Sequence, residues 1–226
     1  MLVSLLLTIT FLVGFLRFVS MAYSFSMFLL NHFKKPLDLK SRYGDNSWAV
    51  ITGGANGVGR IKALELATHG FNIFIWDVNR SSLNTVKDDI RAINKDVKVI
   101  TIYKDLAGGQ ELSFYKKLYD EVKDLDVSIL VNNVGIITYD TYGKTIRSKV
   151  SSMIKLNVVL PTMLTSLFVK KLKSREKRSA IIVTSSCVGV VPSPPMSIYT
   201  ASKAYSRFFG LGLAEELKDK IDVLTT

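Results

Sequence analysis

Residues 48 to 60 read Trp-Ala-Val-Ile-Thr-Gly-Gly-Ala-Asn-Gly-Val-Gly-Arg, and the rest of the chain is organised around them. The first five residues form a short apolar run that is typical of a buried β-strand. Ile61, Leu64 and Ala67 follow at spacings of three and predict a helix. A strand, a glycine-rich turn and a helix open a dinucleotide-binding α/β fold, because glycine lets the backbone turn tightly and approach a pyrophosphate. Taken alone, the motif also fits an ordinary loop before a helix.

Length and composition limit the possible classes of protein. A chain of 226 residues is long enough for one α/β domain and an appendage. Its only cysteine, Cys187, excludes an internal disulfide framework, and its two histidines, His32 and His69, are far apart, so we predict no metal site. The formal net charge is +11, but no nucleic-acid-binding motif accompanies it. A position against an anionic membrane explains the same charge.

The N-terminal segment is apolar and predicts a membrane anchor. Leu2 to Leu16 is a little short of the roughly 20 residues that cross a bilayer, so a span continues to about Ser20 or Tyr23, with Arg17 reaching the interface. The alternative is a cleaved signal peptide, although a positive n-region is lacking. Basic residues follow the segment: Lys34, Lys35, Lys40 and Arg42. The positive-inside rule then places the main domain on the cytosolic side.

Strands and helices alternate after the glycine motif. Apolar runs predict five further strands, at Phe71–Trp76, Val97–Tyr103, Val127–Val131, Ser179–Ser185 and Ile221–Leu224. A long helical region runs roughly from Thr145 to Leu172, and Asn157 lies in its middle. The charged run Lys170–Arg178 is typical of a solvated loop, and a membrane-facing patch is the alternative. This order predicts a single Rossmann-like, doubly wound parallel sheet with helices on both faces, preceded by an N-terminal membrane helix.

Asp77 ends the second predicted strand. A carboxylate there can accept hydrogen bonds from both hydroxyls of an adenosine ribose, and it repels a 2′-phosphate. Asp77 therefore favours NAD(H) over NADP(H). Arg80, three residues later, can partly offset this preference by reaching a phosphate. An ordinary turn or helix N-cap is the alternative interpretation of Asp77.

Tyr199 and Lys203 lie four residues apart and therefore on one face of a predicted helix. A nearby ammonium lowers the pKa of a phenol from about 10, so the phenol can donate a proton to a carbonyl oxygen near neutral pH, or remove one in the reverse direction. Ser186, thirteen residues before Tyr199, would polarise and position the same oxygen. Tyrosine and lysine occur at this spacing by chance as well, so the interpretation depends on the accompanying motifs.

Together these motifs resemble the short-chain dehydrogenase/reductase family from about Trp48 to the C-terminus. The matching residues are Thr52, Gly53, Gly57, Gly59, the stretch Asn132-Asn133-Val134-Gly135, and Asn157, Ser186, Tyr199 and Lys203. The resemblance implies four catalytic residues, Asn157, Ser186, Tyr199 and Lys203. It implies that the cofactor is bound by Thr52, Gly53, Asn56, Gly57, Val58, Gly59, Asp77, Arg80, Asp105, Leu106, Asn133, Gly135, Tyr199 and Lys203.

Within the family, the chain looks closest to the membrane-anchored branch of 17β-hydroxysteroid dehydrogenases and very-long-chain 3-oxoacyl-CoA reductases. The residues that carry this likeness are the apolar N-terminus, Tyr43-Gly44-Asp45-Asn46-Ser47-Trp48, Val134 in the Asn-Asn-Val-Gly stretch, and Pro192, Pro194 and Pro195. The likeness implies reduction of a 3-oxoacyl thioester or a 17-keto steroid at the endoplasmic reticulum membrane, with NAD(H) or NADP(H). The acyl-CoA reductases of this branch use NADPH and have a basic residue just after the second strand, where this chain has Asp77-Val78. The family also leaves open a homodimer through the helices that carry Asn157 and Tyr199.

We therefore predict an anchor over residues 1–30, a basic and polar linker over 31–46, and an NAD(P)-binding catalytic domain over 47–226. The family's fold continues past its sixth strand, so the resemblance implies that a final strand and the substrate-covering segment are missing from these residues. The alternative is a non-catalytic membrane protein that keeps the dinucleotide-binding fold as a scaffold. The presence of all four catalytic residues argues against it.

Overall fold

The computed structural model describes residues 2–33, 36–109 and 111–226, without the side chains of Asn31 and His32. The predicted basic residues Lys34 and Lys35 lie outside the described residues. Contacts divide the chain into two compact units, residues 1–38 and residues 39–226.

The first unit is one long helix, α1 (Leu2–His32). Three of its hydroxyl groups are bonded within the helix: Thr8, Thr10 and Ser24 each donate to the carbonyl oxygen four residues earlier. The exterior of α1 is consequently almost entirely apolar, and side chains such as Phe11 are exposed over most of their surface. By length and composition, Leu2–Leu30 could cross a membrane.

The second unit is built on a six-stranded sheet. Its strands are β1 (Trp48–Thr52), β2 (Asn72–Asp77), β3 (Val99–Tyr103), β4 (Val127–Asn132), β5 (Ser179–Val183) and β6 (Ile221–Thr225). They are arranged in the order β3-β2-β1-β4-β5-β6, and every neighbouring pair is parallel. The order reverses between β1 and β4, and in such sheets a crevice opens there beyond the carboxyl ends of the strands. The predicted parallel sheet is confirmed, with strand ends within two residues of those expected.

Helices cover both faces of the sheet. They are α2 (Leu39–Tyr43), α3 (Gly57–Thr68), α4 (Arg80–Ile93), α5 (Leu112–Asp120), α6 (Arg147–Ile154), α7 (Leu160–Ser174) and α8 (Ser197–Glu216). Alternate residues along each strand enter different cores. Val50 and Trp76 belong to the core that includes Phe168 of α7, whereas Ile51 belongs to the core that includes Leu66 of α3. This confirms the doubly wound arrangement.

Of the three apolar residues whose spacing predicted α3, Ala67 is buried and Leu64 is partly buried, whereas Ile61 lies on the exposed side. Ile61 is 65% exposed, whereas Ala63, Leu66 and Ala67 are buried. The buried side of α3 packs against β1 and β2.

The long helix that was predicted from Thr145 to Leu172 is interrupted. A π-helical turn, Lys155–Val159, separates α6 from α7, and Asn157 lies inside it. Such turns widen the backbone locally, so that a side chain can bond outside its own helix.

Part of the segment that the sequence analysis placed in a linker belongs to the second unit. Arg42 donates to both carboxylate oxygens of Asp222, at 2.5 and 2.8 Å, and the Tyr43 hydroxyl donates to the same carboxylate at 2.9 Å. Arg178 also binds Asp222, at 2.8 Å. These four residues, the Asp222 cluster, connect α2 to the beginning of β6.

Candidate active site

The glycine turn after β1 adopts a conformation that other residues rarely adopt. Gly53 has φ +67°, and a Cβ added there would lie 3.1 Å from the backbone of Val134. A Cβ on Gly59 would overlap the carbonyl oxygen of Gly53 and the side-chain amide of Asn133. Glycine at both positions therefore allows α3, the turn and the end of β4 to lie in direct contact.

Thr52 and Asn133 connect the turn to β4. The Thr52 hydroxyl accepts hydrogen bonds from the N–H groups of Asn133 and Val134, at 3.0 and 3.2 Å. The Asn133 side chain in turn donates to the carbonyl oxygens of Thr52 and Gly53. Thr52 is buried, and its hydrogen bonds fix the backbone at the end of β4.

A groove of about 340 Å³ opens at the reversal point of the sheet. Eight of the predicted cofactor residues line it: Gly53, Asn56, Gly57, Asp77, Asp105, Leu106, Asn133 and Gly135. Its other lining residues are Val78, Lys104, Val134, Ile136 and Leu156. The other six predicted cofactor residues do not line it: Thr52, Val58, Gly59, Arg80, Tyr199 and Lys203. Lys104 carried no local motif, although its position directly after β3 was a signal that could have identified it.

Asp77 both lines the groove and holds the turn. One carboxylate oxygen accepts from the N–H of Ala55 and the other from the N–H of Asn79, each at 3.0 Å. Each oxygen retains a lone pair for a further donor. The Arg80 guanidinium lies 4.2 Å from the centre of the Tyr103 ring, a cation–π contact that holds it beside β3.

Asn157 joins three parts of the site. Its side-chain oxygen accepts from the N–H of Ile136, and its NH₂ donates to the carbonyl oxygen of Ile136 and to the Ser202 hydroxyl. A Cβ added to Gly135 would lie 3.2 Å from the Asn157 side-chain oxygen and 3.5 Å from the Lys203 ammonium. The structure therefore brings Asn157, Gly135 and Lys203 together at one end of the groove.

Lys203 is buried beside Tyr199. Its ammonium donates to the carbonyl oxygen of Thr184 at 2.8 Å and lies 5.7 Å from the centre of the Tyr199 ring. Burial lowers the pKa of Lys203. Ser186 follows β5, and its hydroxyl oxygen accepts from the N–H of Val188. Within the described residues, no hydrogen bond joins Ser186 to Tyr199.

Comparisons with known proteins agree with this geometry. Residues 47–226 match the family model for short chain dehydrogenase. The chain is similar to a very-long-chain 3-oxoacyl-CoA reductase of Coccidioides immitis, with 31% identity over 93% of this chain and 61% of that protein. It is also similar to the rat (Rattus norvegicus) 17-beta-hydroxysteroid dehydrogenase type 3, with 33% identity over 89% of this chain and 66% of that protein.

The fold is shared with solved structures. A short-chain dehydrogenase from Sphingobium yanoikuyae in complex with NADPH superposes with a TM-score of 0.72 and 26% identity, over 79% of this chain and 69% of that one. The chain spans about 60% of the length of the first reductases that it matches. On the family model and these identities, the chain belongs to the short-chain dehydrogenase family.

Proposed function

We propose that the protein is an NAD(P)(H)-dependent oxidoreductase that interconverts a ketone and a secondary alcohol. The observation that carries the proposal is the meeting of Asn157, Lys203 and Gly135 at the end of the groove, with the Tyr199 ring beside Lys203. A buried cation next to a phenol is the arrangement that acid/base catalysis at a carbonyl oxygen requires.

The groove residues fit a dinucleotide. α3 begins at Gly57, and the N–H groups of its first turn are suited to a pyrophosphate. Asp77 would hold the adenosine ribose, Asp105 and Leu106 would border the adenine, and Lys203 would hold the nicotinamide ribose. When bound, the nicotinamide supplies or accepts the hydride.

The protein's own residues would handle the proton. Tyr199 would donate a proton to the substrate oxygen in reduction and remove it in oxidation, while the Lys203 ammonium stabilises the phenolate form. The Val188 N–H already occupies one lone pair of the Ser186 hydroxyl, so the Ser186 proton is available to the substrate oxygen. Asn157 would hold the loop at Ile136 in place.

We further propose a lipid-like substrate and a location at the endoplasmic reticulum membrane, with the domain facing the cytosol. Two observations support this: the apolar exterior of α1, and the names of similar proteins, which concern a very-long-chain 3-oxoacyl-CoA and a 17-beta-hydroxysteroid. The proposal includes a homodimer through the helical region that carries Asn157 and through α8, which carries Tyr199.

The test is turnover with 3-oxoacyl-CoAs and 17-keto steroids, using NADH and NADPH, for the unmodified chain and for Tyr199→Phe. We expect the Phe variant to lose about 10²- to 10⁴-fold in turnover, because only the proton donor is removed, and to keep the Kd of the reduced cofactor within about twofold.

Tyr205→Phe on the same helix is the matched control, because it deletes the same atom at a hydroxyl that is bonded to Thr162. Normal turnover in Tyr199→Phe would eliminate the proposed acid/base. Tight cofactor binding without turnover of any carbonyl in the panel would favour the scaffold alternative.

A further inference from the structure

Lys62 is a second lysine at the base of the site, and the sequence motifs did not identify it. It lies on α3, after the glycine turn, and its ammonium reaches across to the carboxyl ends of β5 and β6. It donates to the hydroxyl of Thr184 at 2.8 Å and to the hydroxyl of Thr226 at 3.1 Å.

Thr184 connects Lys62 to the groove. Its carbonyl oxygen accepts from the Lys203 ammonium at 2.8 Å, and its hydroxyl, which accepts from Lys62, donates to the Asn133 side chain at 3.3 Å. Asn133 lines the groove and holds the glycine turn. Two ammonium groups are therefore fixed on the polar atoms of a single residue.

The groups that surround Lys62 among the described residues are two hydroxyls and a second ammonium. Burial, and then repulsion by Lys203, lower the pKa of Lys62 to about 8, so that it is mostly charged at pH 7. β5 and β6 present the uncharged hydroxyls of Thr184 and Thr226, and α8 presents the Lys203 ammonium. In the described part of the chain, neither lysine has a carboxylate within ion-pair distance.

We propose that Lys62 makes the site discriminate against the oxidised cofactor by placing a second positive charge beside Lys203. The proposal rests on the proposed function, in which Lys203 holds the nicotinamide ribose. The oxidised nicotinamide ring carries a positive charge that the reduced ring lacks, so a cation at the base of the site raises the Kd of the oxidised form more than that of the reduced form. Such a site releases the oxidised cofactor readily after each turnover, which favours the direction of ketone reduction.

The experiment measures four dissociation constants, those of NAD⁺, NADH, NADP⁺ and NADPH, on the full chain in detergent at pH 7 and one salt concentration. Lys62→Met removes the charge, Lys62→Gln removes it while keeping a donor for the two threonines, and Lys62→Arg keeps it. We expect the ratio of oxidised to reduced Kd to fall by about three- to tenfold in the Met and Gln variants, and to stay within about twofold in the Arg variant.

Lys116→Met, on the exposed side of α5, is the matched control for loss of one positive charge elsewhere, and we expect an unchanged ratio. An unchanged ratio in Lys62→Gln overturns the proposal, as does equal weakening of both redox forms, which is what a merely structural role predicts. If the unmodified chain binds none of the four nucleotides, the proposed function itself fails, and that outcome is distinct from an unchanged ratio.

Discussion

The carboxylate of Asp77 has a structural role in the glycine turn and a proposed binding role in the groove, and a single substitution removes both. It fixes the glycine turn through Ala55 and Asn79, and it lies in the groove where the adenosine ribose would bind. Hydrogen bonds to a charged acceptor contribute about 1.5–3 kcal/mol each, and a 2′-phosphate would bring nearly two negative charges against the same group. Arg80, held on Tyr103, would have to leave that ring to compensate.

We therefore expect the unmodified chain to bind NADH at least about tenfold more tightly than NADPH, which corresponds to about 1.4 kcal/mol. Asp77→Ser combined with Val78→Arg should reverse the order, because the arginine supplies a phosphate partner at a position that already lines the groove. Fluorescence titration at one salt concentration measures both constants.

Val78→Arg alone is the control that keeps the carboxylate, and we expect it to change the preference less than the double variant does. Tighter binding of NADPH by the unmodified chain would contradict the assignment of Asp77.

At the scale of the single element, hydrogen bonds to the charged side chain of Asp222 hold α2 against β6. In the folded state, hydrogen bonds from Arg42, Arg178 and Tyr43 hold the pKa of Asp222 well below its usual range. A carboxyl group with a lowered pKa contributes stability above its unfolded pKa of about 3.9, and that contribution is lost as the pH falls below it.

Asp222→Asn should lower the free energy of unfolding by about 1–3 kcal/mol at pH 7, because the charge-assisted bonds are lost. The difference from the unmodified chain should stay nearly constant from pH 6 to about 4 and shrink as the pH falls from about 4 towards 2. Urea denaturation across that range measures it. Asp219→Asn removes the same charge from an exposed position three residues earlier and should change stability by less than about 0.5 kcal/mol. An equal loss in both variants would show that the Asp222 cluster contributes nothing specific.

The strands were predictable because burial is visible in short apolar runs such as Trp48–Thr52, which is buried throughout. The exposure of Ile61 was not predictable from the spacing, because Ile61 is apolar yet lies on the exposed side of α3, whereas Ala63 is buried. Neither α2 nor the π-helical turn at Asn157 has a local signal, because each is stabilised by partners far away in the sequence. For the same reason the sequence did not identify Lys62, because its threonine partners lie more than a hundred residues later.

At the scale of the whole molecule, α1 is the feature with the clearest experimental consequence. α1 exposes an apolar exterior along Leu2–Leu30, whose transfer from water into lipid is strongly favourable. We expect the full chain to stay with membranes through carbonate extraction. A chain that begins at Leu39, the start of the second compact unit, should be released.

A full chain with Leu6 and Phe15 replaced by Ala is a milder control, because it shortens apolar side chains without shortening the helix; we expect it to be retained. Release of the unmodified full chain by carbonate would rule out a spanning helix.

The central position of β1 in the sheet affects how long this strand waits for its partner during synthesis. β1 is the first strand to be synthesised, yet one of its edges pairs with β4, which begins 75 residues after β1 ends, from Thr52 to Val127. At about 5–20 residues per second, a ribosome needs about 4–15 s to make that stretch. This edge of β1 therefore stays unpaired for seconds, and an unpaired strand edge is a place where a nascent chain can pair wrongly or aggregate.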